Sequence, residues 1–158
     1  MCLISFEREP AVAQEDIVVY KAVRVIDGGD LMSPICRNIR YRIGASYKEK
    51  HFDRTWSGCD LSYTVVEYGY HTFGKEDDAL DYASALTEAY HADHCVLKCV
   101  IPKGTRYYSG RFNRRSGVHC SEVLTVKKKL YTVHYVVHEH EEDFTVSVDK
   151  ENHTAPAS

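Results

Sequence analysis

Residues 67–102 decide the fold, and they read EYGYHTFGKEDDALDYASALTEAYHADHCVLKCVIP. Apolar side chains recur every three or four positions from Glu76 to about His91, which predicts the main amphipathic helix of the chain. Three acids at 76–78 fall in its first turn, where negative charge suits the helix dipole. Runs of β-branched and aromatic residues flank the helix, so the stretch is predicted to be strand, helix, strand.

Further strands are predicted on both sides of this unit, from β-branched content and from the alternation of apolar and polar residues. The predicted strands cover residues 16–27, 39–43, 63–70, 95–101, 118–127, 131–137 and 144–148. Strands, then one helix, then strands are typical of an α+β fold, so we expect a twisted, mostly antiparallel sheet with one main helix.

The length of 158 residues fits a single domain, because two domains of half that size would have thin cores. We predict a loosely attached N-terminal arm over residues 1–15 and one α+β domain over residues 16–150. A polar, flexible tail is predicted over residues 151–158.

The composition excludes several classes of protein. Hydrophobic residues make up 44% and charged residues 27%, which is ordinary for a globular chain and not for a collagen or a coiled coil. No apolar run approaches the roughly 18 residues that a membrane helix needs. The N-terminus lacks the pattern of a secretory signal, and six cysteines without a CxxC pair read as reduced thiols. We therefore predict no membrane association and a cytoplasmic location.

The charge is unevenly distributed along the chain. The net charge is −3, while six acids and one base follow position 138, so the C-terminal segment is acidic and residues 1–138 are weakly basic. Overall charge argues against broad non-specific nucleic-acid binding, although it leaves room for a local anion site.

Two charged residues, Lys21 and Glu122, each interrupt an otherwise apolar strand face. A buried charge without a partner is very costly, so the two either form a structural ion pair or face a polar cleft. In a cleft, a carboxylate can hydrogen-bond ribose hydroxyls or stabilise a developing cation.

A basic and aromatic segment over residues 103–117 is predicted to be a long loop that can fold over a ligand. Arginine forks fit phosphate oxygens and tyrosines can stack on a base, while the alternative is a solvated, mobile loop. The candidate ligand-binding residues of this segment are Arg106, Tyr108, Arg111, Arg114 and Arg115.

Tyr70 and His71 are further candidates for ligand binding, because short segments between a strand and a helix often line sites. The cluster from His91 to Cys95 has none of the usual zinc spacings, so we predict no metal site. His134 and His138 share a strand face and are expected to be exposed. The motifs of P-loop, serine-hydrolase and zinc-protease sites are absent from the sequence.

Several segments together resemble the ADP-ribosyltransferase-like fold. They are VVYKAV (18–23), EYGYHTFGKEDDALDYA (67–83), VLKCVIPKGTRYY (96–108) and CSEVLTVKKKLYTV (120–133). The resemblance implies a split sheet, NAD as cofactor, Glu122 as the catalytic glutamate and Tyr70 or His71 as the group that stacks on nicotinamide. Tyr20 or Lys21 stands where that superfamily has Arg or His, and the superfamily's Ser-Thr-Ser triplet is absent.

A second resemblance rests on CRNIRYRIGASY (36–47) and GYHTF (69–73), which are similar to an uncharacterised family of phages and their bacterial hosts. It implies a phage-derived accessory protein without a defined activity.

Three functions follow from these observations. The first is a nucleotide- or ADP-ribose-binding accessory protein that acts on host signalling or defence and requires no cofactor. The second is an active ADP-ribosyltransferase that uses NAD and Glu122. The third is an accessory factor that takes no small ligand and binds a host protein through the acidic residues Glu139, Glu141 and Glu142.

Overall fold

The computed structural model of the chain describes residues 2–34, 38–57, 62–137 and 144–151. Its single long helix, α1, spans Glu76–Tyr90 and agrees with the helix predicted from the periodicity. The strands are β1 Leu3–Ser5, β2 Ala11–Val12, β3 Ile17–Val25, β4 Leu31–Met32, β5 Arg40–Tyr41, β6 Ser46–Lys48, β7 Thr55–Ser57, β8 Thr64–Val66, β9 Tyr70–Phe73, β10 His94–Ile101, β11 Arg106–Phe112, β12 Arg115–Ser121, β13 Val123–Val137 and β14 Phe144–Lys150.

These strands form one sheet in the order β14-β13-β10-β3-β9-β12-β11-β1-β8-β7. The pairings given for the described strands are antiparallel, and short strands β2, β4, β5 and β6 join along the way. The α+β class, with a mostly antiparallel sheet and one main helix, is therefore confirmed.

The central strands of the sheet are buried on both of their faces. On the helix-side face, Ala79, Ala83 and Leu86 of α1 pack with strand residues such as Val96 and Val133. On the far face, buried strand residues form a second core together with Leu31 and Tyr41. Successive strand residues alternate between these faces, so a polar side chain can be buried on either side.

The first fifteen residues differ from the prediction of a loosely attached arm. β1 pairs with both β8 and β11, and Leu3 is fully buried. Close approach is possible because residue 110 is glycine, where a Cβ would lie only 2.1 Å from the carbonyl oxygen of Ile4. A three-residue strand carries too short a pattern to be detected from the sequence.

The segment 103–117 also differs from the prediction, since most of it forms a hairpin. β11 and β12 are antiparallel, and Phe112 faces Arg115 across the turn, in which Asn113 has a φ of 53°. The predicted strand 118–127 is divided at Glu122, where β12 ends and β13 begins. The predicted strand 63–70 is likewise two strands, β8 and β9.

None of the helices in the described part of the chain is long and apolar enough to span a membrane.

Candidate functional site

The ammonium group of Lys21 is buried on the far face of the sheet. Lys21 alternates along β3 with Val19 and Val23, which belong to the core on that face, and it is only 7% exposed. Its Nζ donates a hydrogen bond to the carbonyl oxygen of His71 at 2.8 Å and lies 5.6 Å from the ring centre of Tyr41. Among the described residues no carboxylate forms an ion pair with Lys21.

Burial lowers the pKa of Lys21 to about 8, while the nearby thiols Cys99 and Cys120 act in the opposite direction. Burial also raises the pKa of Cys99 to about 12, so that thiol stays neutral. Because the pKa of Lys21 remains above 7, most of the Lys21 side chains are protonated and positively charged at neutral pH. A positive charge thus sits inside the protein next to one carbonyl and one aromatic face.

Tyr41 belongs to a group of three neighbouring tyrosines, called here the tyrosine cluster: Tyr41, Tyr47 and Tyr70. The ring centres of Tyr41 and Tyr47 are 5.2 Å apart, and those of Tyr47 and Tyr70 are 6.3 Å apart. Tyr41 and Tyr70 are buried in the far-face core, whereas Tyr47 packs against its edge. An aromatic face can stack on a base and a cation can bind a phosphate, so this arrangement suits a phosphorylated base.

Two hydroxyl groups on the same face lack hydrogen-bond partners. Thr72 on β9 and Ser121 on β12 are fully buried, and neither Oγ atom is bonded within the protein. Ser121 faces Tyr70 in register, and Thr72 follows Tyr70 by two residues, which places both hydroxyls on the far face. Buried hydroxyls are nearly always bonded, so these two are exceptions that call for an explanation.

The ring of His71 belongs to the opposite side of the sheet. Its Nε2 lies 3.1 Å from the carbonyl oxygen of Val66, and its Nδ1 lies 3.8 Å from Sγ of Cys120, a helix-side core residue. Burial, followed by the charge of Lys21, lowers the pKa of His71 to about 3, so the imidazole is neutral. His71 therefore contributes its carbonyl, and not its ring, to the surroundings of Lys21.

A second cluster joins Arg106 to Glu122. Nε of Arg106 donates to Oε2 of Glu122 at 2.8 Å, and Nη1 donates to Oδ1 of Asp53 at 2.7 Å. The hydrogen bonds to Glu122 and then Asp53 raise the pKa of Arg106 above its usual range. Since its guanidinium is bonded to two carboxylates, Arg106 is already neutralised and has little capacity left for a phosphate.

The ion pair between Lys21 and Glu122 that the sequence allowed is not formed. Glu122 pairs with Arg106, whose guanidinium lies 5.4 Å from the ring centre of Phe52 in the helix-side core. Lys21 instead contacts Tyr41 of the far-face core. Lys21 and Arg106, the partner of Glu122, thus contact separate cores.

The remaining predicted residues lie on the β11–β12 hairpin. Tyr108 is buried in the helix-side core, 5.7 Å from Phe52 between ring centres, and burial raises its pKa. Arg111 and Arg114 are exposed, and the guanidinium of Arg115 lies 5.7 Å from the ring centre of Tyr82. No hydrogen bond or ion pair in the described ranges connects these three arginines to Lys21 or Glu122.

Sequence reasoning missed Tyr41, Tyr47 and Ser121, whereas Thr72 belongs to the segment after Tyr70 and His71 that it singled out. The spacing of the tyrosines in YRIGASY, residues 41–47, was the available signal. It also missed a groove of about 360 Å³, lined in part by Asp93, Cys95, His134 and Asp149. There the ring nitrogens of His134 lie 3.0 Å from a carboxylate oxygen of Asp93 and 3.0 Å from one of Asp149.

In the part of the chain that the structure describes, no group of three or more His, Cys, Asp or Glu side chains is arranged to hold a metal ion. No protein-family model, curated protein or solved structure matches the chain.

Proposed function

We propose that the protein is a binding module for a small nucleotide- or ADP-ribose-type anion, and that Lys21 supplies the cation that holds it. The observation that carries this proposal is a buried ammonium group without a carboxylate partner in the described residues. Buried charges in proteins are normally paired, because an isolated one loses its hydration without compensation. A ligand phosphate would provide the missing negative charge.

The surroundings of Lys21 suit the rest of such a ligand. The tyrosine cluster offers ring faces on which a base can stack. The unbonded hydroxyls of Thr72 and Ser121 can donate to phosphate oxygens or accept from ribose hydroxyls. Cation, aromatic faces and hydroxyls on one side of the sheet are the elements of a nucleotide site.

A ligand would reach Lys21 from the side of β5 and β6, which carry Tyr41 and Tyr47. These are short strands, and β6 is joined to the start of β13 by three paired residues. We expect the tyrosine rings to turn aside when a ligand enters, while the long strands β3 and β10 stay in place.

The alternative is an active ADP-ribosyltransferase that uses NAD, with Glu122 as the catalytic carboxylate. That carboxylate is bonded to Arg106, so it would have to be released before it could meet a ribose hydroxyl. Binding without turnover is therefore the better supported function, and no cofactor is required for it.

The setting of this activity is also a proposal. The resemblance to a family of phages and their hosts supports a cytoplasmic accessory protein that acts on host signalling or defence. The acidic residues Glu139, Glu141 and Glu142, predicted to contact a host protein, lie outside the described residues.

The test is native mass spectrometry of the purified protein with NAD, ADP-ribose and cyclic di- and trinucleotides. We expect a stoichiometric adduct with one of them that is lost in Lys21→Met. Lys127→Met is the matched control, because Lys127 is an exposed lysine on β13. An adduct that both variants retain, or no adduct with any nucleotide, contradicts the proposal, whereas release of nicotinamide from NAD would favour the enzyme.

A further inference from the structure

A row of side chains crosses the outer face of four neighbouring strands at one end of the sheet. Trp56 on β7 faces Val65 on β8, Val65 faces Ile4 on β1, and Ile4 faces Arg111 on β11. Directly opposed residues of antiparallel strands project to the same face, so these four lie side by side. Trp56 is 57% exposed, Ile4 is 41% exposed, and Phe6, two residues after Ile4, is 66% exposed, whereas Val65 between Trp56 and Ile4 is buried.

The exposure of Ile4 in this row, here called the tryptophan row, is a consequence of the register of β1. Leu3 and Ser5 on either side of Ile4 are fully buried, so Ile4 must project outward. The backbone of β1 also lies against Gly110, where a Cβ would be 2.1 Å from the Ile4 oxygen. Ile4 is therefore held outward by a closely packed strand.

Arg111, the charged member of the row, favours an anionic partner. Arg111 lies in the row, and Arg8 and Arg54 are exposed close to it in sequence; none of the three forms an ion pair in the described residues. Among the neighbouring acids, Asp53 is bound to Arg106 and Glu7 accepts the backbone N–H of Ser109, while Glu9 is exposed and forms no ion pair in the described residues.

We propose that the tryptophan row binds a short single-stranded nucleic acid. Exposed aromatic rings beside unpaired guanidinium groups are the two components of such sites, because the rings stack on bases and the arginines contact phosphates. Strands are about 4.8 Å apart, so Trp56 and Arg111 are separated by about 14 Å, which corresponds to a few nucleotides. Because the whole chain has a net charge of −3, we expect nucleic acid to be attracted to this surface alone.

This surface is separate from the proposed nucleotide site. Its residues lie on or next to β1, β7, β8 and β11, whereas Lys21 and the tyrosine cluster lie on β3, β5, β6 and β9. Lys21→Met should leave nucleic-acid binding unchanged, and the variants described next should leave nucleotide adducts unchanged. The two proposals can therefore fail independently.

Trp56 is the only tryptophan of the chain, so its fluorescence reports directly on this surface. We expect oligothymidine of about ten nucleotides to quench it at low salt, with an affinity that falls as salt rises. Arg111→Gln should lower the slope of log affinity against log salt by about 0.7. Trp56→Leu, followed through the anisotropy of a labelled oligonucleotide, should bind about tenfold more weakly.

The matched control is Arg40→Gln, which removes an exposed arginine on β5 that pairs with Asp30. It should leave the affinity and the salt slope unchanged. Absence of quenching at low salt overturns the proposal and leaves the row to a protein partner. Equal effects of Arg111→Gln and Arg40→Gln also overturn it, since binding would then depend on general charge.

Discussion

Arg106 and Glu122 form an ion pair, with Nε 2.8 Å from Oε2, and the backbone joins the same two residues through a hydrogen bond from the N–H of Glu122 to the carbonyl of Arg106 at 3.0 Å. The ion pair and the backbone hydrogen bond together fix the point at which β12 ends and β13 begins. The carboxylate side chain is 17% exposed, so solvent screens the pair only in part.

The first prediction concerns this pair. Glu122→Gln should reduce the free energy of unfolding by about 1 kcal/mol, because the charge-assisted hydrogen bond becomes a neutral one. Urea unfolding measures the change. Asp30→Asn is the control, since it removes an exposed pair with Arg40 and should cost almost nothing. A loss in Glu122→Gln no larger than in the control would show that the Arg106–Glu122 pair contributes little.

The second prediction concerns pH. The pKa of Lys21 is lowered from 10.5 to about 8, so between those values the unfolded chain binds more protons than the folded one. The contribution of Lys21 to the free energy of unfolding therefore rises with pH between about 8 and 10.5. The same contribution is lost again as the pH falls through about 8. Lys21→Met should be more stable than the native chain at pH 7, by at most about 3 kcal/mol, and the gap should close as pH approaches 10.

Other groups titrate in the same range, so the measured quantity is the difference between Lys21→Met and the native chain. Parallel urea titrations at several pH values give that difference. A gap that stays constant from pH 7 to 10 would mean that Lys21 has the pKa of a solvated lysine.

The third prediction concerns the unbonded hydroxyl of Thr72. Thr72→Val replaces a buried hydroxyl that has no hydrogen-bond partner, so it should leave stability unchanged or raise it by up to about 1 kcal/mol. Thr87→Val is the matched control, since the Thr87 hydroxyl donates to the carbonyl of Ala83 at 2.9 Å and its loss should cost about 1 kcal/mol. Thermal unfolding distinguishes the two. Equal destabilisation would imply that Thr72 has a partner in solution.

The fourth prediction concerns Gly110. Gly110→Ala places a methyl group where the Ile4 carbonyl lies, so β1 must move away from β11, at a cost of about 2 kcal/mol or more. Gly74→Ala is the milder comparison, because its nearest contact would be 3.2 Å, to the ring of His119. Hydrogen exchange of residues 3–5 should accelerate in Gly110→Ala alone. Unchanged exchange would show that β1 tolerates the added methyl.

The sequence predicted those parts of the fold that carry long patterns. The helix periodicity and the β-branched runs of β3 and β10 were sufficient, and the position of Lys21 on an apolar face indicated its burial. The partners of Lys21 and Glu122 were not predictable in the same way. These partners depend on the register of strands that are distant in sequence. They also depend on the β11–β12 hairpin, whose glycine and arginines are untypical of strands, so that its sequence indicated a loop.

The position of β1 has a consequence for how the chain is made. Residues are synthesised in chain order, yet Leu3–Ser5 pairs with Thr64–Val66 and with Arg111. β1 is therefore made long before the second of its two neighbouring strands. Until residue 111 has emerged, β1 can pair only with β8, and its other edge remains open, the kind of nascent edge that chaperones shield.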